Sequence, residues 1–442
     1  MIVPFFKQKS ALFYILLSIL LYASVAYFFE RTQFFGLLLS FVCLFVLAYK
    51  IIETFKQHLI VLMGIAFIFR LVFLFAVPNL SQDFFRFIWD GRLILEGFNP
   101  YTHLPKDLIT NADFHLSQAQ ELYHGMGNLS ASHFSNYPPI NQLFFLIAGW
   151  FSPHSIIGAV VMMRIIIIMA DFGTLYFGSK LLAQLGFEKH RIFWYILNPL
   201  VIIELTGNLH FEGVMLFFLV WSMYLLHQNQ WKMAALTMAL SISTKLLPLI
   251  LLPMFFQKLG WKKSIGFYSL VFGLNLLLFL PFFSHDLFEN YTETIGLWFT
   301  NFEFNASIYY VVRAIGFWMI GYNIIQTTGQ IIPFFILIFV IYNSIFSDNK
   351  STVSLFQSFL MVLSFYFFTS TTVHPWYVIN LVLIGVFTKF KYPIIWSLTV
   401  FLSYSAYSNF LFKENLWFIG LEYGLVFLFI IIEIKRFPII KK

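Results

Sequence analysis

An acidic residue close to two arginines opens the longest polar stretch of an otherwise apolar chain. In the stretch Ser81-Gln-Asp-Phe-Phe-Arg-Phe-Ile-Trp-Asp-Gly-Arg92, Asp83 and Asp90 lie seven residues apart, so a helix would place both on one face with Arg86. Solvated intrahelical ion pairs explain the charge pattern equally well. An aromatic setting at a membrane boundary, however, raises the basicity of a carboxylate, as a general base requires. We therefore predict Asp83 as the catalytic base and give Asp90 a supporting role.

Five further residues with reactive side chains lie in short polar segments. Tyr137 precedes two prolines, a pattern that a rigid entry into a helix also explains. His210 and Glu212 are two residues apart and compatible with a metal site, although one such pair is a weak signal. Lys245 interrupts an apolar region, and a lysine at membrane depth indicates function by default. His374 lies beside aromatic residues, where a histidine is more often a hydrogen-bonded interface residue.

The composition excludes a soluble enzyme, a disordered chain and a nucleic-acid binder. Apolar residues make up 60% of the 442 residues and charged residues only 11%, less than a water-exposed surface requires. The net charge of +7 is spread along the chain, which favours membrane orientation over a partner-binding patch. The single cysteine, Cys43, excludes a disulfide framework, a cysteine zinc site and an iron–sulfur centre. These features predict an all-α polytopic integral membrane protein.

The apolar runs predict about 13 transmembrane helices in one domain that covers residues 1–442, because a spanning helix requires about 20 apolar residues. The first run is too long for a cleaved signal peptide. Residues 233–257 are predicted to form a hairpin of two short helices with Lys245 near its tip. The other runs lie near 11–29, 34–51, 58–78, 155–183, 192–206, 212–228, 264–283, 323–346, 352–369, 376–388, 393–408 and 416–434.

The distribution of basic residues predicts the orientation. With both termini in the cytoplasm, 18 of the 27 lysines and arginines fall on the cytoplasmic side. The same frame leaves the polar segment 79–139 outside, followed by residues 140–152, which suit an interfacial helix. The site is therefore expected at the outer face. The cytoplasmic basic residues are Lys7, Lys9, Lys50, Lys56, Lys180, Lys189, Arg191, Lys232, Lys258, Lys262, Lys263, Lys350, Lys389, Lys391, Lys435, Arg436, Lys441 and Lys442.

Inside the predicted spans, Arg164 and Asp171 lie seven residues apart on one helix. They are expected to pair with each other or with a neighbouring helix, as a buried polar tie. Glu204, close to the outer end of its run, is placed to reach either the interface or the site.

Taken together and in order, these motifs resemble those of the GT-C glycosyltransferases, and most closely the polyprenyl-phosphate-mannose-dependent mannosyltransferases. That group is related to the first mannosyltransferase of GPI-anchor synthesis. The resemblance covers about residues 60–390, and the first two predicted spans have no counterpart in it, because the group usually has one helix before the acidic loop. The matching motifs are Asp83–Arg92 with Gly97–Tyr101, Tyr137–Ile140, Asn208–Glu212, Thr244-Lys245 with Pro248, Phe304–Tyr310 and Val373–Tyr377.

The resemblance implies inverting transfer of a hexose, mannose by resemblance alone, from a polyprenyl-phosphate donor at the outer face of a bacterial inner membrane. The acceptor is a glycan, a glycolipid or a protein. Inversion by direct displacement requires one base, Asp83, and cations that hold the departing phosphate. Lys245, Arg86 and Arg92 are the phosphate-side candidates, and His374 is a possible hydrogen-bond donor. The other predicted substrate-binding residues are Asp90, Tyr137, His210 and Glu212.

We expect no cofactor, because basic side chains can take the place of a metal at a monophosphate leaving group. The alternative is a divalent cation held by Asp83, His210 and Glu212, without a dense ligand cluster to support it.

A lipid-linked sugar transporter or flippase is the alternative function, in which Arg164, Asp171 and Lys245 would be pathway charges. Transporters tend to have two similar halves with helices broken in matching positions. Here the single broken pair is the 233–257 hairpin, and the polar residues concentrate in one early outer loop. Both features favour an enzyme. A scaffolding protein is a poorer third choice, since it requires no acid–base group at the interface.

The orientation can be tested by cysteine labelling. In a Cys43→Ser background, a cysteine at position 113 is expected to react with a membrane-impermeant maleimide in intact cells, because segment 79–139 is predicted to lie outside. A cysteine at position 189 serves as the cytoplasmic control. Labelling of position 113 only after the cells are broken open would overturn the orientation.

Overall fold

The chain is described by a computed structural model that covers residues 9–409 and 411–436. In this part of the chain the regular secondary structure is helical, apart from an isolated parallel bridge between Phe304 and Thr372. The prediction of an all-α polytopic membrane fold is confirmed. Lys7, Lys441 and Lys442, which the orientation places in the cytoplasm, lie outside the described residues.

The α-helices vary from single turns to membrane length. In chain order they are α1 (Lys9–Tyr27), α2 (Phe34–Phe55), α3 (Leu59–Leu71), α4 (Asp83–Leu95), α5 (Pro105–Leu108), α6 (Ala119–Ala131), α7 (Pro139–Phe151), α8 (Ile156–Gln184), α9 (Phe193–Ile196), α10 (Pro199–Val201), α11 (Glu212–His227), α12 (Trp231–Thr244), α13 (Phe255–Phe279), α14 (Leu287–Thr300), α15 (Ile308–Ile320), α16 (Ile325–Phe346), α17 (Thr352–Thr369), α18 (Pro375–Val386), α19 (Tyr392–Thr399) and α20 (Leu416–Arg436). Tighter 3₁₀ segments are Lys189–Ile192, Leu247–Met254, Leu280–Phe282 and Val400–Ser408, and Ile202–Gly207 is a π-helix.

By length and composition, seven helical stretches in the described part are able to cross a membrane, or up to eight if Pro199–Gly207 and Glu212–His227 form one broken span. The seven are α1, α2, α8, Leu247–Phe282, α16, α17 and α20. The predicted number of about 13 also includes segments that form shorter apolar helices, such as α3 and α18. That number stays a prediction.

The predicted run 192–206 is not one continuous helix. Asn198 precedes a proline, adopts an extended backbone (ψ 125°), and its side chain accepts a hydrogen bond of 2.9 Å from the Leu200 N–H. A residue before proline is disfavoured in the helical region, so the helix has to restart here. The predicted run 393–408 likewise changes, at Val400, from α-helix to a 3₁₀ segment.

The described chain divides into two compact units, each assembled from separate stretches. The described residues of the first unit lie within Met1–Leu80, Asp171–His210 and His374–Lys442, and those of the second lie within Ser81–Ala170 and Phe211–Val373. The expectation of one domain over residues 1–442 stays a prediction.

A buried ion pair joins two segments of the first unit. Arg70 of α3 donates from Nε to Asp171 Oδ2 of α8 at 2.8 Å, and both side chains are at most 1% exposed. Asp171 therefore has a partner on a neighbouring helix, which was one of the two predicted alternatives. Within the described residues, one guanidinium nitrogen of Arg70 and the second oxygen of Asp171 have no hydrogen-bond partner. Each ion consequently depends on the other for its solvation.

In the second unit, α4 and α7 approach closely enough for their backbones to touch. A Cβ atom at Gly91 would lie 2.1 Å from the carbonyl oxygen of Phe145, so only glycine fits. The rings of Phe87 and Phe145 stack beside it at 4.6 Å. Helix α7 is the short apolar helix that the sequence predicted for residues 140–152 as interfacial. It fixes the face of α4 that carries the candidate site.

The first arm of the predicted hairpin is α12, and the second arm differs from the prediction. It is the 3₁₀ segment Leu247–Met254, with Pro248 and Pro253, and it continues into α13, where the helix breaks at Gly260 (φ 69°). Each proline lacks an N–H donor for the α-helical ladder, which explains the tighter helix. Lys245 lies between the arms in an extended conformation (φ −149°, ψ 141°).

Removal of one partner of the buried ion pair is expected to destabilise the protein strongly. Arg70→Met leaves Asp171 buried without its counter-ion and should lower the free energy of unfolding by about 3–5 kcal/mol, whereas Arg70→Met with Asp171→Leu should recover much of that loss. Denaturant unfolding in detergent micelles measures both.

The matched control is the exposed pair Lys56–Glu53, whose side chains are 44% and 39% exposed. Lys56→Met should change the stability by less than about 1 kcal/mol. Equal effects of Arg70→Met and Lys56→Met would contradict the assignment of the buried pair.

Candidate functional site

The first residue of α4 is Asp83, at the point where the chain enters the second unit. Its backbone N–H donates to Ser81 Oγ at 3.3 Å, and the residue lies in the first turn of the helix. The helix predicted from the spacing of Asp83, Arg86 and Asp90 is confirmed. Helix α4 is short and rich in aromatic residues, and its packing against α6 and α7 stabilises it.

The carboxylate of Asp83 is partly buried and accepts no hydrogen bond from any residue that the structure describes. Two charged side chains act on it from a distance, Lys245 and Glu212. Burial raises the pKa of Asp83 to about 6, with the Lys245 ammonium group lowering it and the Glu212 carboxylate raising it. Near neutral pH the group is a carboxylate that is more basic than an ordinary aspartate and not committed to a protein donor.

Lys245 and Glu212 form an ion pair at the same site. Lys245 follows the last residue of α12, Glu212 begins α11, and the ammonium nitrogen donates to Glu212 Oε1. The Glu212 side chain is only 3% exposed, and its second oxygen has no hydrogen-bond partner in the described part of the chain. An ammonium group has three donors, so the pair leaves donors of Lys245 available to a ligand.

Tyr137 lies close to both carboxylates. Its ring packs edge-on against Phe87 and Phe145, at 5.0 and 5.5 Å. Burial is the main cause that raises the pKa of its phenol well above the usual value, and the negative charges of Asp83 and Glu212 act in the same direction. The phenol therefore keeps its proton and can donate a hydrogen bond. Its position is fixed from the backbone, because the Tyr101 hydroxyl donates to the Tyr137 carbonyl oxygen at 2.6 Å.

Arg86 and Asp90 form a buried ion pair of 2.7 Å on α4. Arg86 also donates to the carbonyl oxygens of Ser130 and His133, at 2.6 and 2.8 Å. Asp90 accepts hydrogen bonds from Ser135 Oγ at 2.6 Å and from the Gln142 side-chain amide of α7 at 3.1 Å. The pair lies within one helix, as the ion-pair explanation of the charge pattern predicted, but it is buried and not solvated. Its contacts fix the segment that leads to Tyr137.

Arg92, predicted on the phosphate side, donates to the carbonyl oxygen of Ser117 at 2.6 Å and to Gln118 Oε1 at 3.2 Å. Burial lowers the pKa of its guanidinium. These contacts hold the loop before α6. The contacts of Arg86 and Arg92 place both arginines in structural roles, and the substrate-binding role predicted for them stays a prediction.

His210 and His374 belong to the first unit. Both rings stack on the indole of Trp376, the ring of His210 at 3.8 Å and the ring of His374 at 4.3 Å. His210 is buried, with its Nε2 3.5 Å from Glu204 Oε2. The sequence treated the two histidines as separate features and did not predict their common contact with Trp376.

Glu204, which the sequence placed to reach either the interface or the site, is buried beside His210. It accepts hydrogen bonds from Asn208 Nδ2, at 3.1 Å, and from the hydroxyl of Tyr404. The partner Tyr404 is about 200 residues away in sequence, and no local pattern indicates such a contact.

Residues 9–409 and 411–436 contain no preformed set of ligands for the alternative metal site. No three His, Cys, Asp or Glu side chains there come together in a way that could hold a metal ion, and Asp83, His210 and Glu212 are not such a group.

The residues that sequence reasoning missed support the predicted ones. Ser135 and Gln142 hydrogen-bond Asp90, and Ser243 Oγ accepts from the Ile140 N–H at 3.3 Å. The last contact joins the segment after Tyr137 to the residues just before Lys245. Small polar residues carry no signal in a single sequence, although Ser243 is adjacent to the predicted hairpin tip.

Comparison with known protein families gives one match. Residues 4–259 match the family described as "Alpha-(1->6)-mannopyranosyltransferase, N-terminal domain". No curated protein matches the chain. The matched part includes Asp83, Tyr137, Glu212 and Lys245.

The pH dependence of activity is expected to follow Asp83. A general base has to be deprotonated, so kcat/KM should rise with pH, level off above about 6, and fall at more acidic pH. Asp83→Asn keeps the shape but removes the base, and turnover should fall by about 10²–10⁴. Steady-state rates between pH 4.5 and 8.5 measure both effects.

Asp90→Asn is the matched control, because it makes the same chemical change on the same helix. It should lower thermal stability, since Arg86 then loses its buried partner, and turnover should fall less than in Asp83→Asn. Wild-type turnover in Asp83→Asn would remove this residue from the mechanism.

Proposed function

The chain belongs to the alpha-(1->6)-mannopyranosyltransferase family, and from this premise we propose that it transfers mannose from a polyprenyl-phosphate donor to an acceptor hydroxyl at the outer face of the membrane. It is a membrane glycosyltransferase of a mannosyltransferase family. The proposal adds the donor, the side of the membrane and the roles of the residues.

The observation that carries the proposal is the Asp83 carboxylate, which has a pKa of about 6 and no hydrogen bond from a described residue. In the proposed reaction this carboxylate takes the proton of the acceptor hydroxyl as its oxygen attacks the anomeric carbon. The bond from that carbon to the phosphate oxygen breaks, and the electron pair leaves with the phosphate. One displacement with one base inverts the configuration at the anomeric carbon.

Lys245 supplies positive charge for the departing phosphate. Negative charge grows on the phosphate as the glycosidic bond breaks, so a fixed ammonium group stabilises the transition state more than the ground state. Glu212 holds that ammonium group in place. Tyr137, protonated and adjacent, donates a hydrogen bond to a substrate oxygen. These roles require no metal, because the leaving group is a monophosphate.

The physical state of the donor supports an interfacial site. A polyprenyl chain stays in the bilayer while its sugar phosphate lies at the surface, so the reaction has to occur at the boundary. The positive-inside pattern supports an outer position for the segment around Asp83, which in a bacterial inner membrane is the periplasmic or exterior face. The acceptor is then a glycan, glycolipid or protein on that side.

A sugar transporter or flippase remains the alternative function. A basic aspartate near a cation suits displacement at a sugar phosphate. The family match supports the same choice.

The experiment that tests the proposal uses purified protein in lipid vesicles with a membrane extract as the source of acceptor. Label is expected to move from polyprenyl-phosphate [³H]mannose to an acceptor, and not from a nucleotide-linked mannose. Transfer from the nucleotide sugar alone, or solute flux without any labelled product, would contradict the proposal.

Lys245 can be tested in the same assay. Lys245→Ala should raise the donor KM and lower kcat, because the ammonium group acts on both the bound and the departing phosphate, while the acceptor KM changes little. Lys245→Arg should recover part of the loss, since the charge matters more than the shape of the group.

An anchoring role of Lys245 predicts a different result. A lysine that only extends its charged end to the interface would lower expression or thermal stability when replaced by alanine, yet the folded variant would have normal donor kinetics. Normal kinetics would transfer the phosphate role to another cation.

A further inference from the structure

The helix break at Gly260 (φ 69°) reverses the direction of the chain. The Tyr268 hydroxyl donates to the Leu252 carbonyl oxygen at 3.0 Å, although the two residues are 16 positions apart. One continuous helix would separate such positions by about 24 Å, because each residue adds about 1.5 Å. Segments 247–259 and 261–282 are therefore two antiparallel arms, joined by a tight turn.

The turn between the arms, residues 256–264, is bonded to the loop that joins α16 and α17. Gln257 Nε2 donates to the carbonyl oxygen of Ser344 at 2.8 Å. The ammonium group of Lys258, which is half-buried, donates to the carbonyl oxygen of Lys350 at 3.4 Å. Two segments that are distant in sequence therefore meet at the turn.

The start of α12 lies beside the turn as well. A Cβ atom at Gly266 would lie 2.8 Å from the Trp231 ring, so this ring packs against the beginning of the arm 261–282. Lys232, the next residue, holds its ammonium nitrogen 5.7 Å from the centre of the same ring. Three separate segments of the second unit therefore bring lysines to one place.

The place where these segments meet is strongly basic. Segments 227–232, 256–264 and 344–354 contain five lysines and one carboxylate, that of Asp348, which accepts from the backbone N–H of Lys350. None of the five lysines forms an ion pair with a residue that the structure describes. Like charges without counter-ions repel one another, and an anion bound among them removes that repulsion. The five lysines, called the lysine cluster below, are Lys232, Lys258, Lys262, Lys263 and Lys350.

Exposed aromatic rings lie in the same turn. Trp261 is 69% exposed and Phe256 is 39% exposed, and their rings meet edge to face at 5.7 Å. Tryptophan is enriched at the membrane–water interface, and lysines near the end of a span extend their charged groups to it. The arm 261–282 is by itself long enough to cross a membrane. We therefore place the lysine cluster at the depth of the lipid headgroups.

We propose that the lysine cluster binds the phosphate group of an anionic phospholipid, in the leaflet that the predicted orientation places on the cytoplasmic side. Basic residues that flank a span on this side attract anionic lipids. An acyl chain of the same lipid covers the exposed Trp261 ring, which a free phosphate ion would leave uncovered. The inference goes beyond the proposed function and does not depend on it.

Membrane orientation alone does not explain the cluster. The positive-inside pattern requires an excess of lysines and arginines on the cytoplasmic side, wherever they lie along the loops. It does not require that three segments converge, or that one of the lysines, Lys258, is half-buried without a carboxylate beside it. Both features are those of a binding site for an anion.

Native mass spectrometry of the purified full-length protein tests the proposal, because it resolves the binding of single lipid molecules. The protein in detergent micelles is titrated with dioleoyl phosphatidylglycerol and, separately, with dioleoyl phosphatidylcholine, which has the same chains but no net charge. The first phosphatidylglycerol is expected to bind about tenfold more tightly than the first phosphatidylcholine. Equal affinities for the two lipids would overturn the proposal.

Variants of the cluster locate the site. One lysine near the headgroups contributes about fivefold in affinity for an anionic lipid, which corresponds to about 1 kcal/mol. Lys262→Gln with Lys263→Gln should therefore weaken the binding of phosphatidylglycerol roughly 20-fold. Lys258→Gln alone should weaken it about fivefold, which covers a failure of the double variant to fold. Binding of phosphatidylcholine should not change in either variant.

The matched control is Lys50→Gln with Lys189→Gln, which removes two exposed lysines of the first unit on the same predicted side of the membrane. Phosphatidylglycerol should bind to this variant as it binds to the wild type. Equal losses in the control and in the variants of the lysine cluster would overturn the assignment of the site.

Inorganic phosphate distinguishes a lipid from a free ion. At the same concentration as the lipid, it is expected to leave the bound phosphatidylglycerol in place. Displacement of the lipid would overturn the proposal in favour of a site for free phosphate. Sugar transfer is not measured in any of these experiments, so their results stand apart from the test of the proposed function.

Discussion

The partial burial of one carboxylate, Asp83, is the constraint on which the candidate site depends. Removal from water raises its basicity, while the Lys245 ammonium group limits that rise and the Glu212 carboxylate adds to it. If Lys245 bonded Asp83 directly, the base would be neutralised. The lysine is instead held by Glu212, so the positive charge acts on Asp83 without occupying it. Separate bonding of the two acids allows one to act as a base and the other to orient a cation.

The rest of the second unit supports this separation. A carboxylate at the start of a helix is placed only as well as the helix itself, and α4 is held by the glycine contact with α7 and by its two buried arginines. The ion pair of Arg86 and Asp90 orders the segment before Tyr137, which brings the phenol to the site. Buried pairs of this kind contribute little net stability. Their effect here is positional, and the same holds for Arg70 and Asp171 in the first unit.

Sequence reasoning predicted the helical class, the acidic loop helix, the short helix α7 and the position of Lys245 between two hairpin arms, because each depends on local pattern. The spacing of Asp83, Arg86 and Asp90 fixes a shared helix face, and a proline with a short apolar run fixes α7. The 3₁₀ form of the second hairpin arm was missed, although Pro248 and Pro253 are its physical cause. The hydrogen-bond partners of the buried acids could not be predicted. Glu212 contacts Lys245, and Glu204 contacts Tyr404, through tertiary packing that no single-sequence pattern records.

The distribution of the predicted residues over the two units has the same origin. His210 and Glu212 are two residues apart in sequence, yet the first belongs to the unit with Trp376 and the second to the unit with Asp83. Proximity along the chain suggested a shared metal site. Contacts with helices that are distant in sequence decide the environment of each residue, and the metal site stays a prediction.

The stereochemistry of the product tests the central claim, a single displacement assisted by one base, most directly. The configuration at the anomeric carbon of the transferred mannose can be read from one-bond carbon–hydrogen couplings in the NMR spectrum of a ¹³C-labelled product. The account predicts a configuration opposite to that of the donor, because the acceptor oxygen attacks the face away from the departing phosphate. Retention of the donor configuration would require a second displacement on an enzyme nucleophile and would contradict Asp83 as a general base.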